Sequence, residues 1–376
     1  MGLSRIKIGS FVELYSQACG IPDLTLNDVS GINRDKEFFE PSKQVGADTS
    51  KYKVVPPDYF ACNLMHVGRD VVLPIALNHS GKNKIVSPAY TVFKVTDERL
   101  ILKEYFFLSL NSGERDRFFW FHTDSSVRDG LDWDVFCDLE IDVPNIDVQK
   151  QYVNIYLGLQ KNLKSLRESV DQMQRAYLAT IDRIKKTAPH LRLGDYVTQV
   201  FTKNDDGSLG IDSVRGVSNT KEIQRTKANV SMRDFTTFLV ITKNQFVFNR
   251  RTTRNGERLG LGFNDSDEPL LFTNDYVAFE IADTNVILPE YLYLYFKRDE
   301  FDRYVRYNSW GSATEFFNWE DMQEVHVPVP DIETQRALAN IYWIHKERRD
   351  LADKLEQTLK TICPILIRGA IEEGAR

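Results

Sequence analysis

The sequence predicts an α+β protein built twice: two tandem mixed α/β globular domains, separated by two long antiparallel helices of coiled-coil type, with pseudo-two-fold symmetry. Three observations predict this. The chain matches itself along its length at an offset of about 185 residues, and such self-similarity is the mark of a repeated structural unit. Each repeat closes on an apolar stripe of helical period about 40 residues long. Before each stripe, short β-branched and aromatic runs alternate with Gly, Pro, Asn and Asp clusters, the pattern of short strands joined by turns.

The repeat register starts with Ile8-Gly9-Ser10-Phe11-Val12 on Leu193-Gly194-Asp195-Tyr196-Val197 and Gly31-Ile32 on Gly216-Val217. After a one-residue insertion it continues with Phe60 and Asn63 on Phe246 and Asn249, then Tyr90 on Tyr276 and Leu102 on Leu288. Asp116-Arg117 falls on Asp302-Arg303, Trp133 on Trp319, Val143-Pro144 on Val329-Pro330 and Gln149 on Gln335. The domain boundaries that follow are 1–144, a helix over 145–187, 188–330, and a second helix over 331–376.

Within each globular part, strands are expected at Lys53–Val55, 85–86, 90–95, 238–241, 246–248 and Tyr276–Ile281, and helices at Lys103–Leu110 and 289–297. Pro289 suits a first helical turn, where its missing N–H costs nothing. Alternating runs at 139–144 and 325–330 close each part. Asn145 and Asp331 are expected to cap the long helices, and Asp147 and Glu333 to favour their N-terminal dipoles. The first stripe runs Val148, Tyr152, Ile155, Leu159, Leu163, Leu166, Val170, Met173, Tyr177, Ile181, Ile184. The second runs Ile332, Leu338, Ile341, Ile344, Leu351, Leu355, Leu359, Ile362, with Pro364 expected to stop or kink it. Neither small domain offers enough surface to bury a stripe of about 60 Å, so the two helices are expected to pack on each other. Related by a two-fold axis, they run in opposite directions.

Composition narrows the class. With 376 residues, 42% hydrophobic and 27% charged, the chain is ordinary for a soluble globular protein. It has no apolar span of about 20 residues and no secretion-signal core at its start, Ile6 fits a myristoylation pattern poorly, and a cytoplasmic location is expected. Cys19, Cys62, Cys137 and Cys363 form no Cys-x-x-Cys pair, so free thiols are expected rather than disulfides or zinc. The net charge of −6 disfavours nucleic acid by bulk charge. A nucleic-acid binder of this composition needs a local basic surface or one supplied by a partner.

Catalytic signatures are missing. Val55-Pro56-Pro57-Asp58-Tyr59 has the proline pair of an adenine-methyltransferase loop but Val where the base-gripping amide belongs. There is no phosphate-binding Gly-x-x-x-x-Gly-Lys-Ser/Thr loop, the six His show no zinc spacing, and no carboxylates are spaced as a nuclease cluster.

The Phe-x-x-Asn of each half, Ser126-Val127-Arg128-Asp129-Gly130-Leu131-Asp132-Trp133, and the Val-Pro-x-Ile-x-x-Gln at each helix start together resemble the specificity (S) subunit of type I restriction-modification systems. The resemblance covers essentially the whole chain. It implies two target-recognition domains, 1–144 and 188–330, each reading half of a split double-stranded DNA target. It implies that the helices fix the spacer and dock two methyltransferase (M) subunits, with restriction (R) subunits joining through the complex. The chain itself then carries no catalysis and no cofactor: S-adenosylmethionine, ATP and magnesium belong to the partners. Readers on one face of B-DNA sit about 34 Å apart or a multiple of it, so a rigid helical pair suits as a ruler.

The best local DNA signal is the run 249–258, with Asn249, Arg250, Arg251, Arg254, Asn255 and Arg258: four Arg against one Glu directly after a strand. Arg pairs bidentately with guanine and Asn with adenine, while other members of such a run hold phosphates; the alternative is a solvated loop. The first half offers the less basic Asn63, His66 and Arg69, then Lys82, Asn83 and Lys84. Asn63 and Asn249 serve equally well as structural turn residues. Arg128 and Thr314 occupy equivalent loops, where DNA contact and loop packing are both open. Arg117 and Arg303 suit internal salt bridges, and Trp133 and Trp319 suit the core. Gln149 and Gln335 are candidates for M-subunit contact. Unlike loops in the two halves imply an asymmetric target. The competing readings are a specificity module of another methylation system, a divalent-metal nuclease with diffuse carboxylates, and a coiled-coil scaffold that binds only proteins.

Overall fold

The computed structural model describes residues 2–41, 45–124, 130–226, 228–252, 258–311 and 315–376. They form two compact units, 1–165 with 351–376, and 166–350. The two long helices, Ile146–Thr187 and Ile332–Gly374, each give one half to each unit.

The first unit is organised around a four-stranded antiparallel sheet. Its order is Val12–Tyr15, Thr91–Val95, Phe60–Cys62, Ile75–Leu77. Phe60 stands opposite Phe93 in register and stacks on it at 5.0 Å between ring centroids. Behind the sheet pack the helices Lys103–Leu110 and Gly113–Phe121, burying Phe106 and Phe119 completely. The second unit repeats this: Val197–Val200, Tyr276–Ile281, Phe246–Asn249, Leu261–Phe263, with Phe246 stacked on Phe279 at 4.9 Å. Its helices are Pro289–Phe296 and Asp299–Tyr307. In each unit the N-terminal strand pairs with the strand that leads into the next long helix: Ser4–Lys7 with Glu140–Val143, and His190–Arg192 with His326–Pro328. Each globular part is thereby closed at the base of its helix.

The long helices are capped as expected. Asn145 Oδ1 accepts the Asp147 and Val148 amides at 3.1 Å, and Asp331 Oδ1 accepts the Thr334 amide at 2.9 Å. Within each unit the helix halves run antiparallel. In the first, Tyr152 donates to Glu373 and Tyr156 packs in one cluster with Cys363. In the second, Arg348 donates to Ser169 and Tyr177 meets His345 edge-on.

Three expectations need correction. The buried stripe of the second helix is Leu338, Tyr342, His345, Ala352, Cys363, Leu366 and Ala370, mostly one residue further along than expected, while Ile344 and Leu351 are 42% and 47% exposed. The helix presses against its globular part as well as against its partner helix, and that second contact rotates the buried face. Of the two outcomes expected at Pro364, a stop or a kink, the stop is overturned, because the helix continues to Gly374. Pro364 and Lys360, whose carbonyl it frees, both lie on the exposed side, where water can take the hydrogen bond. Trp133 and Trp319 are half-buried lids on Phe93 and Phe279 rather than interior residues.

Candidate nucleic-acid interface

In each unit the segment leaving the central strand lies against the segment that precedes the tryptophan. In the second unit, Phe317 donates to the Arg250 carbonyl at 2.9 Å, and Thr252 to that of Glu315 at 3.1 Å. Trp310 and Phe316 exchange backbone hydrogen bonds at 3.1 and 2.9 Å, and Arg251 bridges to Phe316. The first unit repeats the ladder: Leu131 donates to the Leu64 carbonyl at 2.9 Å and Asp124 to that of Gly130 at 3.0 Å. Residues 249–252 and the segment before the tryptophan therefore form one surface, a juxtaposition that the sequence did not show. Arg128, Arg254, Asn255 and Thr314 lie outside the described residues.

Asn249 is half-buried, and its Oδ1 accepts the Arg251 amide at 3.0 Å, which fixes the start of the basic run. Arg250 is half-buried. Arg251 reaches Asp275 at 3.6 Å, and exposed Arg258 reaches Asp299 at 3.2 Å. Trp310, tied through Phe316 to Arg251, is 69% exposed, so the surface joins a cation with a large aromatic face; Tyr307, at the end of the preceding helix, is 82% exposed. The first unit has the same element with other chemistry. Asn63 is buried, with Nδ2 3.3 Å from His66 Nδ1. Burial and then the Arg69 charge hold the His66 imidazole below its ordinary pKa. Exposed Arg69 pairs with Asp70, and Phe121, the counterpart of Tyr307, is 83% exposed. Here Asn63 is an interior turn residue and not a surface reader: its amide N–H bonds the Pro74 carbonyl, and its side chain is closed off from solvent.

Lys82, Asn83 and Lys84 stand apart from this surface. The register pairs Cys62 with Ile75 and Phe60 with Leu77, so the turn after Leu77 falls at the opposite end of the hairpin from Asn63. The chain there is held by Asn78, whose amide donates to the Val55 and Lys82 carbonyls. Asn264 repeats this with Ile241 and Glu268.

Gln149 and Gln335 cannot meet a partner, because both have 0% exposure. Gln149 Oε1 accepts the Leu102 amide at 2.9 Å, and its Nε2 donates to the Leu100 and Pro144 carbonyls. Gln335 does the same with Leu288, Val286 and Pro330. Each glutamine ties its long helix to its globular part. Arg117 and Arg303 are exposed and, among the described residues, make no ion pair. The preceding aspartates carry the internal bridge instead. Asp116 binds Lys36 at 2.7 Å and Asp302 binds Lys221 at 2.5 Å, with all four side chains at most 10% exposed. The aspartates also accept the Leu73 and Leu259 amides, which end the two candidate loops. Both lysines have positive φ, 63° and 61°, and sequence reasoning missed them. Their identical position in the repeat was the available signal.

Among the described residues no cluster of His, Cys, Asp or Glu could hold a metal ion, and no helix is long and apolar enough to cross a membrane. No protein-family model and no curated protein matches the sequence. Solved structures do match. The S subunit of a type I restriction-modification system from M. genitalium aligns with a TM-score of 0.57 at 15% identity, over 98% of this chain and 96% of that one. A structure addressing complex assembly and conformational transition of the type I R-M system aligns at 0.42 with 14% identity, over 100% and 98% of the two chains. The HsdS subunit from Thermoanaerobacter tengcongensis aligns at 0.39 with 14% identity, over 99% and 97%. The chain has the fold of type I S subunits, as the sequence resemblance implied.

Proposed function

We propose that this chain is the DNA-specificity subunit of a type I restriction-modification complex. Each globular part reads one half of a bipartite, asymmetric target, and the long helices set the spacer and dock two methyltransferase subunits. Restriction subunits join through the complex. The chain performs no chemistry: adenine methylation with S-adenosylmethionine and cleavage with ATP and magnesium are done by partners, in the cytoplasm. The observation that carries this reading is the end-to-end likeness to the M. genitalium S subunit. The repeated ladder supports it, because one scaffold holds exposed Met65 in one unit and Arg251 at the same position in the other, next to Arg250. A guanidinium group beside an exposed aromatic face suits guanine edges, phosphates and sugar faces. For docking, the helices offer Leu157 and Trp343, equivalent positions that are 36% and 37% exposed.

The test is to map methylated adenines genome-wide in cells with and without the chain. The reading expects a split motif that disappears with it. Unchanged methylation in a host whose methyltransferase is active would refute it.

A further inference from the structure

The two units differ where globular part meets helix, and the difference points to a ligand. In the second unit this junction is filled by charged and aromatic side chains. Glu222 binds both Lys297 and Arg349, Asp265 binds Lys346 and the Tyr342 hydroxyl, and Phe263 packs on Tyr342. The first unit keeps the glutamate as Glu37 and the tyrosine as Tyr156. It has Asn111 for Lys297, Leu163 for Arg349, Gln160 for Lys346 and Leu77 for Phe263. Three cations and an aromatic ring are missing, and a cavity of about 770 Å³ opens in their place. That lies within the range of small-ligand sites.

The wall combines apolar and polar groups. Leu77, Phe107, Leu163 and Leu359 line it, Gln160 donates to the Tyr156 hydroxyl at 3.1 Å, and Glu37 stands at its edge. Two lining cations are already committed: Lys36 to Asp116 and the Leu110 carbonyl, Arg34 to Asp70. Among the described residues Glu37 has no ion-pair partner, whereas its counterpart grips two. Lining charges of both signs occur, with Lys164 and Lys360 on the helices, so the choice of a cation rests on Glu37 and on what the same position holds in the second unit.

We propose that this cavity binds a guanidinium- or amidinium-class cation on an apolar stem. The charge replaces at Glu37 the lost lysine and arginine, and the stem fills the space between Leu77, Phe107 and Leu163. The chemistry is that of an arginine side chain offered by a partner polypeptide or of a free small-molecule cation.

The test uses the purified full chain and benzamidine, followed by calorimetry and saturation-transfer NMR. Saturable binding at one site is expected. Glu37→Gln should weaken it by about tenfold, the weight of one charge-assisted contact. Leu163→Arg restores the second unit's arginine and should abolish binding while leaving the melting temperature equal or higher. Asn111→Lys, the other restoration, should also weaken it, which guards against a variant that misfolds. Acetyl-arginine amide binding better than free arginine assigns the site to a polypeptide side chain, and the reverse order assigns it to a small molecule. No saturable binding, or equal binding by wild type, Glu37→Gln and Leu163→Arg, overturns the proposal.

Discussion

Replacing Asp302 by Asn tests the idea that a buried charge pair fixes the end of the basic loop. The Lys221 ammonium sits 2.5 and 2.6 Å from the two carboxylate oxygens, with the side chains only 3% and 7% exposed. Removing one partner of a buried pair strands the other charge, at a cost of about 3–5 kcal/mol. Asn keeps an oxygen for the Leu259 amide, now at 3.1 Å, so the lower end, about 3 kcal/mol, is expected. Asp116→Asn in the first unit should cost less, because Lys36 retains the Leu110 carbonyl at 2.7 Å. Lys221→Met should cost about as much as Asp302→Asn, yet the double variant should be no worse than either single one, since a neutral pair strands no charge. A coupling energy of about 2 kcal/mol or more would result. Urea unfolding of the full chain measures this, with the transition of each unit fitted separately because two units need not unfold together. A cost below about 1 kcal/mol for Asp302→Asn, or singles that sum to the double, would refute the reasoning.

Other outcomes follow from the same geometry. Arg250→Ala and Arg251→Ala should relax one half of the methylated motif and leave the other half intact, each losing about 1–3 kcal/mol of base discrimination; methylome sequencing reads this directly. Gln149→Leu leaves the Leu102 amide and the buried Pro144 carbonyl without their partner and should destabilise the first unit by about 2 kcal/mol or more in the same urea experiment. His345 is buried, and its pKa is lowered by burial first and then by the Lys297 and Arg349 charges. Because the folded value lies below the unfolded one, the unfolded chain takes up a proton that the folded chain refuses. Stability should therefore fall as pH drops below about 6.5 and level off below the folded pKa. His345→Leu copies the equivalent Leu159 and removes a buried Nε2 that has no hydrogen-bond partner among the described residues, so it should flatten melting temperature against pH and raise it at neutral pH.

Much of this architecture was legible because it is periodic. The stretches at Lys53–Val55, Lys103–Leu110 and Tyr276–Ile281 fold as their residue types dictate, and the caps at Asn145 and Asp331 follow from side-chain oxygens placed ahead of an apolar stripe. What sequence could not give depends on partners distant along the chain. Lys36 and Lys221 look like turn lysines, and only the approach of Asp116 and Asp302 makes them interior. Gln149 looks like a helix-surface amide until the Leu100 and Leu102 backbone groups close over it. The offset of the second apolar stripe has the same origin, because a helix flanked by two surfaces buries the face between them. At the candidate interface the residue chemistry was readable, but the strand register that separates Lys82 and Lys84 from Asn63 was not.

The duplication makes each unit a control for the other. The stacked phenylalanine pair, the buried Lys–Asp bridge, the glutamine clamp and the ladder before the tryptophan occur in both, so they belong to the scaffold. Divergence is concentrated where side chains leave the scaffold: Met65 against Arg251, and the cavity beside Glu37 against the packed network at Glu222. The first difference bears on which bases are read. The second lies in the helix-packed face of the same unit and has no scaffold role that the second unit needs open. Exchanging Met65 with its counterpart Arg251, the pair of that segment that reaches solvent, should therefore move base preference between halves without altering stability by more than about 1 kcal/mol, as expected for surface changes. A large loss of stability would place these residues in the scaffold and remove the basis for an asymmetric target.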